Sequence, residues 1–280
     1  MKKIIITALL AAFCFSAVKA GPYEFGVSLF EEGDYYRAIG EFKRYIFENP
    51  KGTKVFDAGY KAALSYYYAG RFDEAAAAFE KMAISTSGIQ AQLCRLQAAR
   101  AFQDKKDYRY SGAVFRQAAA EEGGLLGDEA VYLLAWNHFY EQNFEEGEKL
   151  MESLKGGKLK EAAEEALKAS AERSGMEQKS GLLAGLLGAV LPGAGHLYCG
   201  KVVEGLSTML ITSLLAYNVY EGYRLGDEPK IWLYGIPAVT FYGSSIYGAV
   251  NAADRFNEAA GRSFTERLTA VKIDVLDISF

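Results

Sequence analysis

The chain has 280 residues, half of them hydrophobic, and a formal net charge of -4. That length supports one large domain or two small ones. Its lysines and arginines are scattered among acids, which excludes the basic face that nucleic acid requires, and only five prolines in an alanine-rich chain favour helix.

The first twenty residues read as a signal peptide. Lys2 and Lys3 form a basic start, and Ile4 to Phe15 form an apolar stretch too short to cross a bilayer comfortably. Val18-Lys19-Ala20 sets small residues before a cut ahead of Gly21. Cys14 follows Phe13, where a lipidation signal wants a small residue, so cleavage without lipidation is expected. Export places the mature chain in an oxidising compartment. Its two remaining cysteines, Cys94 and Cys199, fall in regions of different character and read as small buried residues rather than a bridge.

From residue 21 to 175 the chain is organised by a repeat of 36 to 37 residues. Tyr35, Phe72, Tyr108 and Phe144 mark one point of four successive repeats. Three residues after each comes a small side chain (Ala38, Ala75, Ser111, Gly147), and four further on a bulky one (Phe42, Phe79, Phe115, Met151). Nine residues before each sits another small one: Gly26, Ala63, Ala99, Ala135. Such a period predicts stacked helix pairs, because one pair cannot bury its apolar face alone. The pairs are Tyr23 to Glu32 with Tyr35 to Phe47, Phe56 to Ala69 with Phe72 to Ala83, Ile89 to Asp104 with Tyr108 to Glu121, and Asp128 to Gln142 with Phe144 to Leu154. Lys158 to Ser170 reads as a closing helix with a polar outer face.

This pattern resembles the tetratricopeptide repeat family. Gly26, Gly33, Tyr35, Ala38, Phe42 and Pro50 fall on its signature positions in the first repeat, and Ala63, Tyr66, Gly70, Phe72, Ala75 and Phe79 in the second. The later repeats are more degenerate, with Lys106 and Gln142 in place of the turn glycine. The resemblance covers about residues 22 to 155. It implies a right-handed superhelix whose groove, lined by the first helix of each pair, holds a protein or peptide partner. Candidate groove residues are Tyr67, Tyr68, Arg95, Arg100, Trp136, Asn137 and Tyr140, since Tyr, Trp and Arg are favoured interface anchors.

After Ser180 charge almost vanishes and glycine rises. Residues 205 to 220 are an uncharged run, and residues 231 to 250 hold no charge, the length a membrane span needs. Residues 180 to 258 therefore read as a membrane hairpin, with Glu221 to Lys230 as its polar connection. Pro192, Gly193, Gly195, Tyr198 and Gly200 spell Pro-Gly-x-Gly-x-x-Tyr-x-Gly. That motif resembles the two-transmembrane-helix hairpin family. Proline and glycine break a helix and permit close backbone approach, so a kinked or re-entrant segment packed on the two later spans is expected. His196 is expected to be structural, and Glu204 to lie at the membrane interface. Residues 259 to 280 read as a polar tail whose end alternates like a strand.

The expected fold is all-α: an α-solenoid of about four helix pairs followed by a helical transmembrane hairpin. With two histidines and no nucleophile elbow, phosphate loop or His/Cys cluster, the chain is expected not to be an enzyme and to need no cofactor or metal. The expected function is a membrane-anchored periplasmic scaffold of the bacterial cell envelope, with the hairpin in the inner membrane. A second reading makes the hairpin the active part, in an accessory subunit of an insertion, secretion or transport machine.

Overall fold

The computed structural model describes residues 21–120 and 126–276. The signal segment 1–20 and the end of the alternating tail lie outside them. Among the described residues the protein is all-helical, with 13 α-helices packed in neighbouring pairs, an arrangement compatible with an α-solenoid. Two compact units divide it: residues 21–163 together with the returning segment 273–276, and residues 164–272.

In the first unit four pairs follow in chain order. They are α1 (Pro22–Glu31) with α2 (Tyr35–Glu48), α3 (Val55–Tyr68) with α4 (Phe72–Ser85), α5 (Gly88–Asp104) with α6 (Tyr108–Ala120), and α7 (Gly127–Tyr140) with α8 (Phe144–Ser153). Each helix packs on the next. The periodic small and bulky positions explain why. Ala38, Ala63, Ala75, Ala99 and Ala135 are fully buried, as are Phe42, Phe79 and Phe115. Gly147 breaks the alanine pattern because a Cβ there would lie 2.5 Å from Cε1 of Phe139.

The turns within the four helix pairs share one backbone conformation. Gly33, Gly70, Lys106 and Gln142 all take positive φ, at 81°, 72°, 70° and 62°. In each turn the next residue's N–H reaches back five residues, as from Asp34 to Leu29 at 2.8 Å and from Asp107 to Phe102 at 2.8 Å. Lys106 and Gln142 thus hold a conformation that suits glycine. Left-handed backbone costs a side-chain-bearing residue about 1–2 kcal/mol, and glycine loses about 0.5–1 kcal/mol in chain entropy. Lys106→Gly and Gln142→Gly are each expected to raise stability by about 0.5–1 kcal/mol, read as a higher urea midpoint. A lower midpoint in both would contradict the shared strain.

The second unit takes in the end of α9 (Gly157–Ala171), then α10 (Gly181–Val190), α11 (Ala194–Tyr198), α12 (Val202–Leu225) and α13 (Glu228–Leu268). Helix α12 is long and apolar enough to cross a membrane. It packs on α13, as does α10. The turn between α12 and α13 is closed by Gly226 in the left-handed region, by Asp227 accepting the Lys230 N–H at 3.1 Å, and by a Lys230–Glu221 ion pair. Residues 259–268, expected as polar tail, continue α13. Gly261, Phe264, Thr265 and Leu268 are buried at helical spacing, which fixes that extension as helix. Residues 272–276 form no strand, because no neighbouring strand exists among the described residues to pair with them.

Candidate functional site

The first unit presents a layer of first helices, and that layer holds the chain's own returning segment. Ile273 donates its N–H to the Tyr132 hydroxyl on α7 at 3.0 Å. Arg100 on α5 grips the Asp274 carboxylate with both Nη atoms, at 2.9 and 2.8 Å. The Leu276 carbonyl accepts from Gln97 Nε2 on α5 at 3.2 Å and from the Tyr60 hydroxyl on α3 at 3.4 Å. Gln97 Nε2 also donates to the Tyr60 hydroxyl at 2.8 Å, so the two readers orient each other. The Leu276 side chain is fully buried in a cluster that includes Tyr60, Ala63, Phe79, Leu93 and Leu133. The segment runs from the fourth repeat back towards the second.

Charge and burial are matched at the clamp. The guanidinium of Arg100 lies 4.7 Å from the Tyr67 ring centroid, with its side chain 13% exposed. Burial opposes that charge, but Tyr67 and Asp274 outweigh it and hold the arginine pKa above its ordinary value. Asp274 is pre-shaped for the grip, since its Oδ1 also accepts the Leu276 N–H at 3.1 Å. Burying one leucine contributes about 1.5–3 kcal/mol, whereas fixing the backbone costs about 1–2 kcal/mol per residue. Leucine burial alone does not hold four residues; the clamp and the hydrogen bonds must supply the rest.

Only part of the sequence-derived set belongs to this site. Arg100 is its charge clamp and Tyr67 its stacking partner, the Tyr67 hydroxyl bonding to Asp104. Tyr68 is partly exposed and stacks on Tyr35 at 5.5 Å. Arg95 lies apart, exposed at a cavity of about 310 Å³ lined by Glu80, Gln92, Tyr110, Val114 and Gln117. Trp136 is fully buried, with Phe139, Tyr132 and Tyr140 around it. Asn137 is also buried: its Nδ2 donates to the Tyr108 carbonyl at 2.8 Å and its Oδ1 accepts from Gln103 at 2.7 Å. It therefore ties α5, α6 and α7 together, and Ser111 departs from the alanine pattern to accept from it at 3.0 Å. Tyr140 stacks on Tyr108 at 5.5 Å. Tyr60, Gln97 and Tyr132 were not among the sequence candidates. The one signal for two of them is that Tyr60 and Tyr132 stand twelve residues before Phe72 and Phe144, at equivalent repeat positions.

In the second unit the glycine motif forms the junction of α10, α11, α12 and α13. Pro192 and Gly193 separate α10 from α11, with Gly193 at φ 89°. The Tyr198 hydroxyl accepts the Ser180 N–H at 3.2 Å. Gly200 turns into α12 at φ 74°. Asn257 on α13 holds the Lys179 backbone at both ends, accepting its N–H at 2.8 Å and donating to its carbonyl at 2.9 Å. His196 is buried under Gly248, and Glu204 is exposed on the first turn of α12. Among the described residues no group of three His, Cys, Asp or Glu side chains is placed to hold a metal ion.

The two cysteines among the described residues, Cys94 and Cys199, are free and buried. Burial pushes the Cys94 thiol up to about 12, and likewise raises Tyr60 and Tyr67 above the usual tyrosine range. An unfolded thiol ionises near about 8.5. Above that pH the unfolded chain releases a proton that the folded chain keeps. The contribution of this thiol to stability is therefore expected to be constant below about pH 8 and to fall as pH rises from about 8.5 to 12. Urea midpoints at pH 7.5 and 10 check this; equal midpoints would contradict it.

No family model, no curated protein and no solved structure matches the chain.

Proposed function

We propose that this protein is a membrane-anchored scaffold of the bacterial periplasm that binds a protein or peptide partner through its layer of first helices. The observation that carries this reading is that the layer already grips an extended segment by its backbone, one acid and one buried leucine. The resemblance of the repeats to tetratricopeptide proteins points the same way, and the signal segment directs the chain to export.

Helices α12 and α13 are the anchor, lying in the inner membrane as a hairpin. Leu206, Leu210 and Leu214 on α12, and Trp232, Leu233 and Val239 on α13, are all more than half exposed. A contiguous apolar surface of this kind belongs against lipid or another protein rather than water. Carbonate washing of membranes is expected to leave the chain in the pellet, and release to the supernatant would reject the anchor. Photo-crosslinkers at Tyr67 and Tyr68 in native membranes are expected to capture an envelope protein. If those positions capture nothing while a crosslinker at Leu210 captures a translocation component, the hairpin is the active part and the scaffold reading fails.

A further inference from the structure

We infer that the groove recognises an extended peptide of the pattern x-Asp-x-Leu, and that residues 273–276 are a resident copy which a partner segment of that pattern displaces. This rests on the scaffold reading of the groove and adds the chemistry of the partner and the means of its regulation.

Four observations carry it. First, the readers come from three different helices, and most of them read features any peptide possesses. Tyr132 reads an N–H, while Gln97 and Tyr60 read a carbonyl; only Arg100 and the leucine pocket ask for particular side chains. Second, Gln97 is buried, and its Oε1 accepts no hydrogen bond among the described residues. The amide that holds the Leu276 carbonyl thus has an acceptor to spare for a peptide N–H. Third, residues 273–276 make no backbone–backbone hydrogen bond among the described residues. Side chains alone peg the segment in place, so its release breaks no helix or ladder. Fourth, Ile273 and the Asp274 side chain remain about one-third exposed, at 36% and 34%. A competitor can begin to replace the segment from that end.

The occupant in trans is a different protein rather than a second copy of this chain. A tethered segment competes at an effective concentration of about millimolar. A second copy brings the same four residues without that advantage. A partner prevails by adding contacts beyond them, and Tyr68, 43% exposed, lies beside Tyr67 at the end of α3. The tail therefore sets a threshold: weak segments are excluded and a partner with flanking contacts enters.

The test uses the full chain in detergent micelles. The probe is a fluorescein-labelled, C-terminally amidated peptide of residues 269–276. Asp274→Asn keeps the shape of the resident segment and weakens its clamp, so probe affinity is expected to rise at least fivefold over wild type. Leu276→Asp expels the segment, and affinity is expected to rise at least tenfold. Adding Arg100→Ala to Leu276→Asp is expected to remove at least tenfold of that affinity, as is a probe carrying asparagine for its aspartate. Folding of each variant is checked by circular dichroism; should Leu276→Asp not fold, Asp274→Asn decides. Folded variants that bind no more probe than wild type would overturn the inference and make residues 273–276 a permanent staple. A wild-type dimer in gel filtration that Asp274→Asn dissolves would overturn it too, in favour of exchange between copies. Because the probe needs no native partner, its failure leaves the crosslinking test of the scaffold reading intact. Conversely, a binding probe beside an empty crosslink in native membranes would sink the scaffold reading alone.

Discussion

Trp136→Ala lowers the stability of the repeat unit by about 3–5 kcal/mol. Trp136 is fully buried and leads the fully buried side chains in size. Its ring meets Phe139 at 5.4 Å, Tyr140 at 6.1 Å and Tyr132 at 6.2 Å between centroids. These three rings sit on α7 itself, and the helix backbone limits how far they can move in to fill the space. A domain stands about 5–15 kcal/mol above unfolding, so the loss is a large share of the total. A urea titration of the full chain followed by circular dichroism measures it. Arg95→Ala, at an exposed position, is the control and is expected to change stability by less than about 0.5 kcal/mol. A Trp136 variant as stable as that control would contradict the packing. The result also decides how binding data are read. Tyr132 leans on Trp136 and accepts the Ile273 N–H, so weakened binding in Trp136→Ala would report damage to the core. Arg100→Ala is the variant that reports the groove.

The repeat was legible because local contact forces its chemistry. Phe139 presses where a Cβ on Gly147 would stand, and Phe42 does the same to Gly26 at 2.9 Å. The degenerate turns at Lys106 and Gln142 still fold like their glycine counterparts, since the aromatic and small positions on either side fix the helix ends. Which face of a first helix meets a ligand was less legible. Helix α7 is flanked by neighbours, and Ala130, Tyr132, Leu133, Leu134, Ala135, Trp136, Asn137 and Phe139 are all buried around its circumference. With no amphipathic stripe, residue type alone placed Trp136 and Asn137 in the groove, where packing uses them as core and as a buried tie. Tyr60, Gln97 and Tyr132 were invisible for another reason. Their partners lie 216, 179 and 141 residues away along the chain. A repeat period carries no information about a contact with a segment outside the repeats. That segment alternates like a strand, yet side chains, not a second strand, satisfy its backbone.

The second large effect is expected at the glycine junction. A Cβ on Gly195 would lie 2.1 Å from the Ala184 carbonyl oxygen and 2.7 Å from the Ala249 Cβ. Neither atom is the end of a flexible side chain, so α10 and α13 must both move away from α11. At Gly193 the added atom would lie 2.2 Å from the Gly205 carbonyl oxygen, and φ of 89° is itself strained for any other residue. Gly195→Ala is expected to cost the second unit about 3 kcal/mol, and Gly193→Ala at least as much. Thermal unfolding in micelles and protease clipping between α10 and α12 measure the loss. Gly188→Ala is the control, because its Cβ would meet Ala249 and Ile246 at ordinary contact distances of 3.6–3.7 Å. If Gly195→Ala matched Gly188→Ala, the close approach of α10, α11 and α13 would be refuted. The comparison also bears on the proposed anchor. Lipid tails are as apolar as leucine, so helices in a bilayer gain little from burying apolar area and rely on close packing and hydrogen bonds. Glycine at 193 and 195 provides the first, and the Tyr198 and Asn257 contacts provide the second. An anchor built this way should lose its fold when one methyl group is added at Gly195, while its total hydrophobicity rises.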